Sequence, residues 1–234
     1  MTSRTGRPPS VFDRAFLSDS ETVLEVLLIR HGQQEIDLDG PTGDLIDPPL
    51  SEQGRLQARL LGEALSTVHL DAVFASPLER ALRTAEPVAA QQRLDVQVIS
   101  DLREVEIFRD VPDDQTPREF FGKELLEAIR HRMLTERSWD VYPSSERSAD
   151  FSHRAINAVE QAIATQKSGR IAVVCHGGVI NTYAGHIIAS PYDMFFRPAH
   201  TSVSIVAAGD GLRVLRSLND VHHLRTAEGD ATTY

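Results

Sequence analysis

The 234-residue sequence contains one cysteine, one tryptophan and no long run of apolar residues. The lone Cys175 excludes an internal disulfide framework and favours a reducing compartment, so we expect a cytoplasmic protein. No apolar run approaches the about 20 residues that a transmembrane helix needs, which argues against a membrane partner. The formal net charge of −10 argues against a nucleic-acid partner.

What the sequence does contain is ordinary for a globular protein, with 41% hydrophobic and 25% charged residues and enough length for one large core. We predict a single domain over residues 23–224. Residues 1–22 lack the apolar stretch of a secretory signal and are predicted to form a flexible N-terminal extension. Residues 225–234 are predicted to form a C-terminal tail.

Short apolar segments alternate with segments of helical period along most of the chain. The predicted strands are 23–30, 72–75, 95–99 and 170–175, followed by a hairpin of 202–207 and 212–218. The predicted helices are 50–67, 77–90, 148–166 and 179–188, with a further helical stretch over 117–136. This alternation predicts an α/β fold, a three-layer α/β/α sandwich whose mostly parallel central sheet has an antiparallel edge strand.

Local signals refine some of these elements. Residues 32–49 are rich in Gly, Pro and Asp without a helical period, and are predicted to form a loop. Ser51 is the predicted N-cap of the first long helix. From its period, the buried face of that helix is predicted to comprise Leu56, Leu60, Ala64 and Leu65. Ser76 is the predicted N-cap of the next helix, with Pro77 at its first position.

Two predicted strands end in a histidine, His31 and His176, and each histidine is followed by glycine. In open α/β sheets, ligands bind at the carboxyl ends of the strands, and glycine lets the backbone approach a ligand closely. A third predicted strand leads into a helix that carries Arg80 and Arg83 near its start. Guanidinium groups and a helix N-terminus hold tetrahedral oxyanions, so the pattern indicates a phosphate site.

Five motifs, in chain order, resemble those of the histidine phosphatase (phosphoglycerate-mutase-like) superfamily, and the resemblance covers about residues 23–224. The motifs are Arg30-His31-Gly32, Leu50-Ser51-x-x-Gly54, Ser76-Pro77-Leu78-x-Arg80-Ala81-x-x-Thr84-Ala85, Leu102-x-Glu104 and His176-Gly177-Gly178. The resemblance implies that His31 is a nucleophile that forms a phosphohistidine. It implies that Arg30, Arg80 and His176 hold the phosphoryl oxygens, and that Glu104 acts as general acid and base.

The same resemblance implies a small phosphorylated substrate and no cofactor. Gly177, Gln33 and Arg83 are further candidate substrate contacts beside Arg30, Arg80 and His176. No metal is expected, because the protein supplies the positive charge itself and no Cys/His pair shows zinc-ligand spacing. Glu106 remains an alternative to Glu104 as the acid, because it would share its face in an extended segment.

The sequence departs from the family pattern after the first motif, where Gln34 and Asp37 stand at positions that often carry Thr and Asn. An inward-pointing Asp37 would repel phosphate. The leading function is a metal-independent, histidine acid phosphatase-like phosphomonoesterase, because the segment between Glu104 and His176 is shorter than in mutases. The alternatives are a phosphoglycerate-mutase-type phosphotransferase and a phospholigand-binding module without turnover. The edge of the terminal hairpin is a candidate for pairing in a homodimer.

Overall fold

The structure is a computed structural model, and it describes residues 10–18, 23–35, 37, 40–227 and 229–234. Most of the predicted N-terminal extension therefore lies outside the described residues. Within it, Val11–Ala15 form a short helix, α1, which Ser10 caps. Leu17 follows this helix, is buried, and packs with Val23 and Ala207 of the domain.

Six strands form the central sheet. They are β1 (Leu24–Arg30), β2 (Ala72–Ala75), β3 (Val96–Val98), β4 (Gly169–Cys175), β5 (Val203–Gly209) and β6 (Leu212–Asp220). Their order across the sheet is β3-β2-β4-β1-β5-β6. The first four in this order are parallel, whereas β5 runs antiparallel to both of its neighbours. A mostly parallel sheet with an antiparallel hairpin at one edge is confirmed.

Seven further helices accompany the sheet in the described part of the chain. They are α2 (Thr42–Ile46), α3 (Glu52–Leu65), α4 (Glu79–Gln92), α5 (Pro117–Phe121), α6 (Lys123–Glu136), α7 (Ser148–Ile163) and α8 (Gly177–Ile188). Helices α3 and α4 pack on one face of the sheet, and α7 and α8 pack on the other. None of the described helices combines the length and the apolarity that crossing a bilayer requires.

The strand β1 shows why the sheet is buried on both faces. Its alternate residues Val26 and Leu28 join the core cluster under α7 and α8, whereas Leu27 and Ile29 join the cluster under α3 and α4. Because successive side chains of a strand point to opposite faces, a continuous apolar run is what a doubly covered strand requires. The three-layer α/β/α prediction is thereby confirmed.

The structure corrects the predicted helix boundaries and one predicted loop. The segment 32–49 contains the short helix α2. Helix α4 begins at Glu79, because Ser76 makes a different hydrogen bond and does not cap it. The helical stretch 117–136 is divided into α5 and α6 at Gly122, whose φ of +81° ends the first helix.

The buried face predicted for α3 was wrong for three of its four residues. Leu65 is buried as predicted, but Leu56 and Leu60 are only partly buried and Ala64 is exposed. The buried residues of the helix are Gly54, Gln57, Ala58, Leu61, Gly62 and Leu65. Consecutive leucines leave the helical period ambiguous, and close packing decides it, because a Cβ at Gly62 would lie 3.0 Å from the backbone of Pro87 in α4. The face that carries the small residues therefore turns inward.

The predicted C-terminal tail begins with a small hairpin of β7 (Arg225–Thr226) and β8 (Gly229–Asp230). The last residues then return to the domain. The carbonyl oxygen of Ala231 accepts a hydrogen bond from Gln57 of α3 at 2.8 Å, and the side chain of Gln57 also donates to Thr233 at 2.8 Å. The terminal segment therefore lies against the sheet edge that carries the predicted site.

Candidate active site

Parallel strands deliver polar side chains to one edge of the sheet. Arg30 at the end of β1 is paired in register with Cys175 at the end of β4. The next residues, His31 and His176, consequently lie side by side, with ring centroids 5.1 Å apart. Strand β2 lies on the other side of β4 and is followed by Ser76. The structure thus brings the two predicted histidines together because the carboxyl ends of parallel strands share one edge.

A single hydrogen bond determines the tautomer of His31. Its Nδ1 lies 2.7 Å from the carbonyl oxygen of Gly32. Because a carbonyl oxygen only accepts, Nδ1 carries the proton and the lone pair is on Nε2. Burial, with the nearby His176, Arg80 and Arg30, lowers the pKa of His31 well below its ordinary value of 6.5. The ring is therefore neutral at neutral pH and keeps the lone pair that a nucleophile needs.

Glycines and one threonine hold the turn that carries His31. Gly32 and Gly54 approach so closely that a Cβ on Gly32 would lie 2.7 Å from the carbonyl oxygen of Gly54. The N–H of Gly32 donates to Oγ1 of Thr84 at 2.9 Å, and that hydroxyl donates to the carbonyl of Arg80 at 2.7 Å. These contacts give a physical reason for three of the motifs, because they connect the His31 turn to both α3 and α4.

Ser76 orients His176. Its Oγ lies 2.7 Å from Nε2 of His176 and accepts a weaker bond from the N–H of Leu78 at 3.4 Å. The Ser76 hydroxyl can both donate and accept, so this bond is compatible with either tautomer of the ring. Burial and the charges of Arg80 and Arg30 lower the pKa of His176 well below 6.5. His176 is therefore a neutral imidazole at neutral pH.

Two guanidinium groups, on the half-buried Arg30 and the buried Arg80, supply positive charge. Arg30 donates from Nη1 to the carbonyl of Pro198 at 2.6 Å, and Arg80 reaches the carboxylate of Asp47 at 3.3 Å. Burial lowers the pKa of Arg30 to about 10 and also lowers the pKa of Arg80, while the nearby Glu104 opposes both shifts. Both side chains remain protonated at neutral pH.

The carboxylate of Glu104 sits at the N-terminus of α8. Its Oε2 accepts a hydrogen bond from the N–H of Gly178 at 3.1 Å, and its Oε1 accepts one from the N–H of Val105 at 3.0 Å. A Cβ at position 178 would collide with this carboxylate, so any residue other than glycine there would displace the Glu104 side chain. Electrostatic interaction with Arg30 and Arg80 links Glu104 to the same cluster.

Glu106 has different surroundings. It forms ion pairs with Arg103 at 3.0 Å and with Arg109 at 2.6 Å, and its side chain is 46% exposed. Partial burial raises the pKa of Glu106, but the hydrogen bonds from these two arginines outweigh it, so the pKa is lowered. A carboxylate held in this way is a poor proton donor. The geometry therefore favours Glu104 over Glu106 as the candidate acid.

Arg154 of α7 holds the backbone around Glu104, a role that the sequence did not reveal. Its guanidinium donates two hydrogen bonds of 2.6 Å to the carboxylate of Glu146. It also donates to the carbonyl oxygens of Asp101, Arg103 and Glu104 at 2.8–2.9 Å. All five N–H donors of Arg154 are thereby used. The segment before the candidate acid is fixed by this one side chain.

His200 is a third buried imidazole, also missed from the sequence. Its ring centroid lies 5.8 Å from that of His31, and its Nδ1 is 2.8 Å from the hydroxyl of Thr233. Burial lowers its pKa to about 3. His200 comes just before β5. Because β5 runs antiparallel to β1, it begins at the edge of the sheet where β1 and β4 end. The antiparallel direction of β5 is the sequence signal that would have placed His200 at this edge.

The remaining candidate contacts are less central. Gln33 accepts a hydrogen bond from Ser51 at 2.9 Å, so its side-chain oxygen is already engaged. Gly177 is the first residue of α8 and lies beside Arg30. Arg83 is 57% exposed and forms ion pairs with two glutamates of its own helix at 2.9 and 3.5 Å. The structure therefore gives no support for Arg83 as a substrate contact.

The two positions that depart from the family pattern follow His31 closely in the chain. Gln34 pairs with Leu50 in an isolated β-bridge. Asp37 lines an acidic surface cleft together with Glu35, Asp44 and Asp47, and Asp47 is the carboxylate that contacts Arg80.

Three buried side-chain nitrogens of the site have no hydrogen-bond partner within the described residues. They are Nε of Arg30, Nε of Arg80 and Nδ1 of His176. An unsatisfied buried polar group costs roughly 1–3 kcal/mol, so a ligand that accepts from all three is stabilised. A tetrahedral oxyanion is such an acceptor. In the described ranges, no three or more His, Cys, Asp or Glu side chains are grouped to hold a metal ion.

Comparison with known proteins agrees with this geometry. The family model described as histidine phosphatase superfamily (branch 1) matches residues 26–221. The adenosylcobalamin/alpha-ribazole phosphatase of Escherichia coli is 28% identical over 84% of this chain and 96% of its own. Phosphoserine phosphatase 1 of Hydrogenobacter thermophilus is 40% identical over a shorter stretch, which covers 36% of this chain and 39% of that protein.

Among solved structures, YhfR of Bacillus stearothermophilus superimposes with a TM-score of 0.71 at 27% identity, and covers 86% of this chain and 98% of that chain. The fold of the two proteins is therefore shared over nearly their whole length. Sequence motifs, sheet topology and the matched family model lead to one conclusion. The chain belongs to the histidine phosphatase superfamily.

Proposed function

We propose that this protein is a phosphomonoester hydrolase that acts through a phosphohistidine intermediate on His31. The observation that carries the proposal is the set of three unpartnered buried nitrogens on Arg30, Arg80 and His176, next to a neutral imidazole whose Nε2 holds the lone pair. This arrangement combines a nucleophile with donors for the charge that develops on the phosphoryl oxygens.

In the proposed first step, Nε2 of His31 attacks phosphorus while the bond from phosphorus to the ester oxygen breaks. The carboxylic acid of Glu104 gives its proton to that oxygen, and the alcohol leaves. In the second step, the Glu104 carboxylate takes a proton from water as the water oxygen attacks phosphorus. The bond from phosphorus to Nε2 breaks, which releases phosphate and restores both the neutral imidazole and the acid.

The relatives whose names describe phosphatases support hydrolysis rather than transfer to a second substrate. The two possibilities separate in one assay, in which the enzyme is incubated with 3-phosphoglycerate and a trace of 2,3-bisphosphoglycerate. Free phosphate is the expected product. Isomerisation without phosphate release would instead identify a mutase-type phosphotransferase.

The covalent mechanism is tested with His31→Ala, with His222→Ala as its control because His222 is an exposed histidine. We expect His31→Ala to abolish both hydrolysis of 4-nitrophenyl phosphate and the acid-labile phosphate label on the protein. His222→Ala should keep both. Unchanged hydrolysis by a folded His31→Ala variant would refute the covalent role. Phosphate binding without turnover by the unmodified enzyme would identify a binding module.

We further propose that the enzyme acts in the cytoplasm on a small phosphorylated substrate, without a nucleic-acid partner. The buried, unpaired Cys175 and the net charge of −10 support these proposals. Strand β6 is an edge strand of the sheet, which supports a homodimer through that edge. Light scattering of the purified protein measures the oligomeric state directly.

A further inference from the structure

A cavity of about 740 Å³ adjoins the candidate phosphate site, and Arg80 and Glu104 are part of its lining. The volume lies within the range of about 300–1,000 Å³ that is typical of pockets for drug-sized ligands. A phosphoryl group fills only a small part of such a space. The remainder is therefore available to the alcohol portion of a phosphomonoester.

The wall of this cavity is chiefly apolar beyond Arg80 and Glu104. The segment 105–111 contributes the largest share, α2 and α6 contribute equal smaller shares, and Tyr142 lies in the loop after α6. The apolar and aromatic side chains that matter most are Phe108, Val111, Leu126, Ile129 and Tyr142. Such a wall stabilises an apolar leaving group by removing its surface from water.

The arginines in this wall are not free to bind a substrate carboxylate. Arg103 is paired with Asp101 and with Glu106, each at 3.0 Å, and Arg109 is paired with Glu106 at 2.6 Å. Arg130 is exposed, where water screens its charge. Small carboxylated phosphates such as phosphoglycerate therefore find few polar partners beyond the phosphoryl group.

The aromatic part of the wall is held in place. Phe108 has a φ of +59°, a backbone conformation that L-residues rarely adopt. Hydrogen bonds maintain it on both sides, from the N–H of Val111 to the carbonyl of Phe108 at 3.0 Å and from the N–H of Arg109 to the carbonyl of Ser144 at 2.8 Å. The Phe108 ring then meets Tyr142 edge to face, with centroids 5.5 Å apart.

We propose that the natural substrates are phosphomonoesters of alcohols that carry an apolar ring, and that the cavity beside Phe108 and Leu126 binds this ring. The proposal rests on the proposed function, because it assigns the leaving group of the same reaction. It excludes small, carboxylated phosphate esters as preferred substrates.

The test compares an ester that carries an apolar ring with ethyl phosphate, whose leaving alcohol has similar acidity, and with two charged esters. The substrates are 2-(1-naphthyl)ethyl phosphate, ethyl phosphate, O-phosphoserine and 3-phosphoglycerate, and the readout is kcat/KM for phosphate release. Because one methylene group in an apolar pocket already changes kcat/KM by about tenfold or more, we expect the naphthyl ester to exceed each of the others by at least that factor.

Two tryptophan variants on α6 distinguish loss of ring binding in the cavity from a nonspecific effect of a tryptophan on this helix. Leu126→Trp fills the cavity and should lower kcat/KM for the naphthyl ester by at least about tenfold, while leaving ethyl phosphate within about twofold. Leu134→Trp is the matched control, because Leu134 lies on the same helix and is 76% exposed. It should change neither value.

Binding gives a second readout that does not require turnover. In the His31→Ala background, titration calorimetry should show naphthylethyl phosphate binding at least about tenfold more tightly than ethyl phosphate, and Leu126→Trp should remove the difference. If no ester were hydrolysed, the proposed function would be refuted. The ring-binding proposal would still hold if the binding preference for naphthylethyl phosphate were observed. Preferred hydrolysis of O-phosphoserine or 3-phosphoglycerate, or equal loss of all substrates in Leu126→Trp, would overturn the ring-binding proposal.

Discussion

Replacement of Arg154 is the perturbation whose consequences the structure defines most fully. Its guanidinium makes five hydrogen bonds, two to the Glu146 carboxylate and three to backbone carbonyls that end at Glu104. The side chains of Arg154 and Glu146 are only 10% and 6% exposed. Arg154→Ala therefore leaves the buried Glu146 carboxylate with only the more distant Arg109, at 3.9 Å, and three carbonyl groups without this donor.

The expected cost follows from this burial. Breaking a buried ion pair by removing one partner costs about 3–5 kcal/mol, because the other charge stays uncompensated. Domains of this kind have free energies of unfolding of about 5–15 kcal/mol, so Arg154→Ala removes a large part of the total. With a urea m-value of about 2 kcal/mol per molar, the unfolding midpoint should fall by roughly 2 M.

The control is Arg132→Ala on α6. Arg132 makes the same two-bond contact with Glu136, at 2.7 and 2.9 Å, but the two side chains are 51% and 44% exposed. Exposed pairs contribute little, so the urea midpoint of Arg132→Ala should stay close to that of the unmodified protein. Equal shifts in the two variants would refute the argument from burial.

A kinetic readout distinguishes positioning of Glu104 from stability alone. Proton donation matters most when the leaving alcohol is a weak acid, so displaced Glu104 should slow hydrolysis of ethyl phosphate more than that of 4-nitrophenyl phosphate. We expect this ratio to change in Arg154→Ala and to be restored only partly in Arg154→Lys, because an ammonium group cannot reproduce the five donors. A proportional loss on both substrates would mean that Arg154 only stabilises the fold.

Three further predictions concern the site. Gly178→Ala should lower kcat about 100-fold or more by displacing the Glu104 carboxylate, whereas Gly185→Ala on the same helix should not, because its Cβ meets only ordinary contacts from 3.5 Å. Acid should destabilise the protein, because burial lowers the pKa of four histidines, and the unfolded chain, titrating near 6.5, binds more protons as the pH falls below that value. Burial lowers the pKa of His200 to about 3 and that of His223 to about 4, so these two cost about 2 kcal/mol each at about pH 5, and a urea midpoint equal to that at about pH 7.5 would contradict this. The four histidines are His31, His176, His200 and His223. Dialysis against EDTA should leave phosphate release unchanged, and lost activity restored by a divalent ion would contradict metal independence.

Features that depend on neighbouring residues were readable from the sequence. The apolar run ending at Arg30 predicted a buried strand, and the turn residues Asp210 and Gly211 predicted the terminal hairpin. Ser51 was correctly predicted to cap α3, because its Oγ accepts from the N–H of Gly54 three residues later. The order of strands and helices followed from such local patterns and predicted the layers of the fold.

Hydrogen bonds between residues far apart in the chain could not be predicted from the sequence. Arg154 looked like any charged residue of a helix, since its partners lie 8 to 53 residues away in the chain. Ser76 has the local pattern of an N-cap, yet it bonds His176, which is 100 residues away.

The sequence by itself therefore determined the family, the order of elements and the residue types that approach one sheet edge. Only the tertiary structure placed Glu104 at the N-terminus of α8, His200 beside His31, Arg154 on the Glu104 carbonyl, and Arg83 in exposed ion pairs. The physical reason is burial. Periodicity and capping are set by residues within a few positions of each other, whereas desolvation and hydrogen-bond partners are set by elements that meet only when the chain has folded.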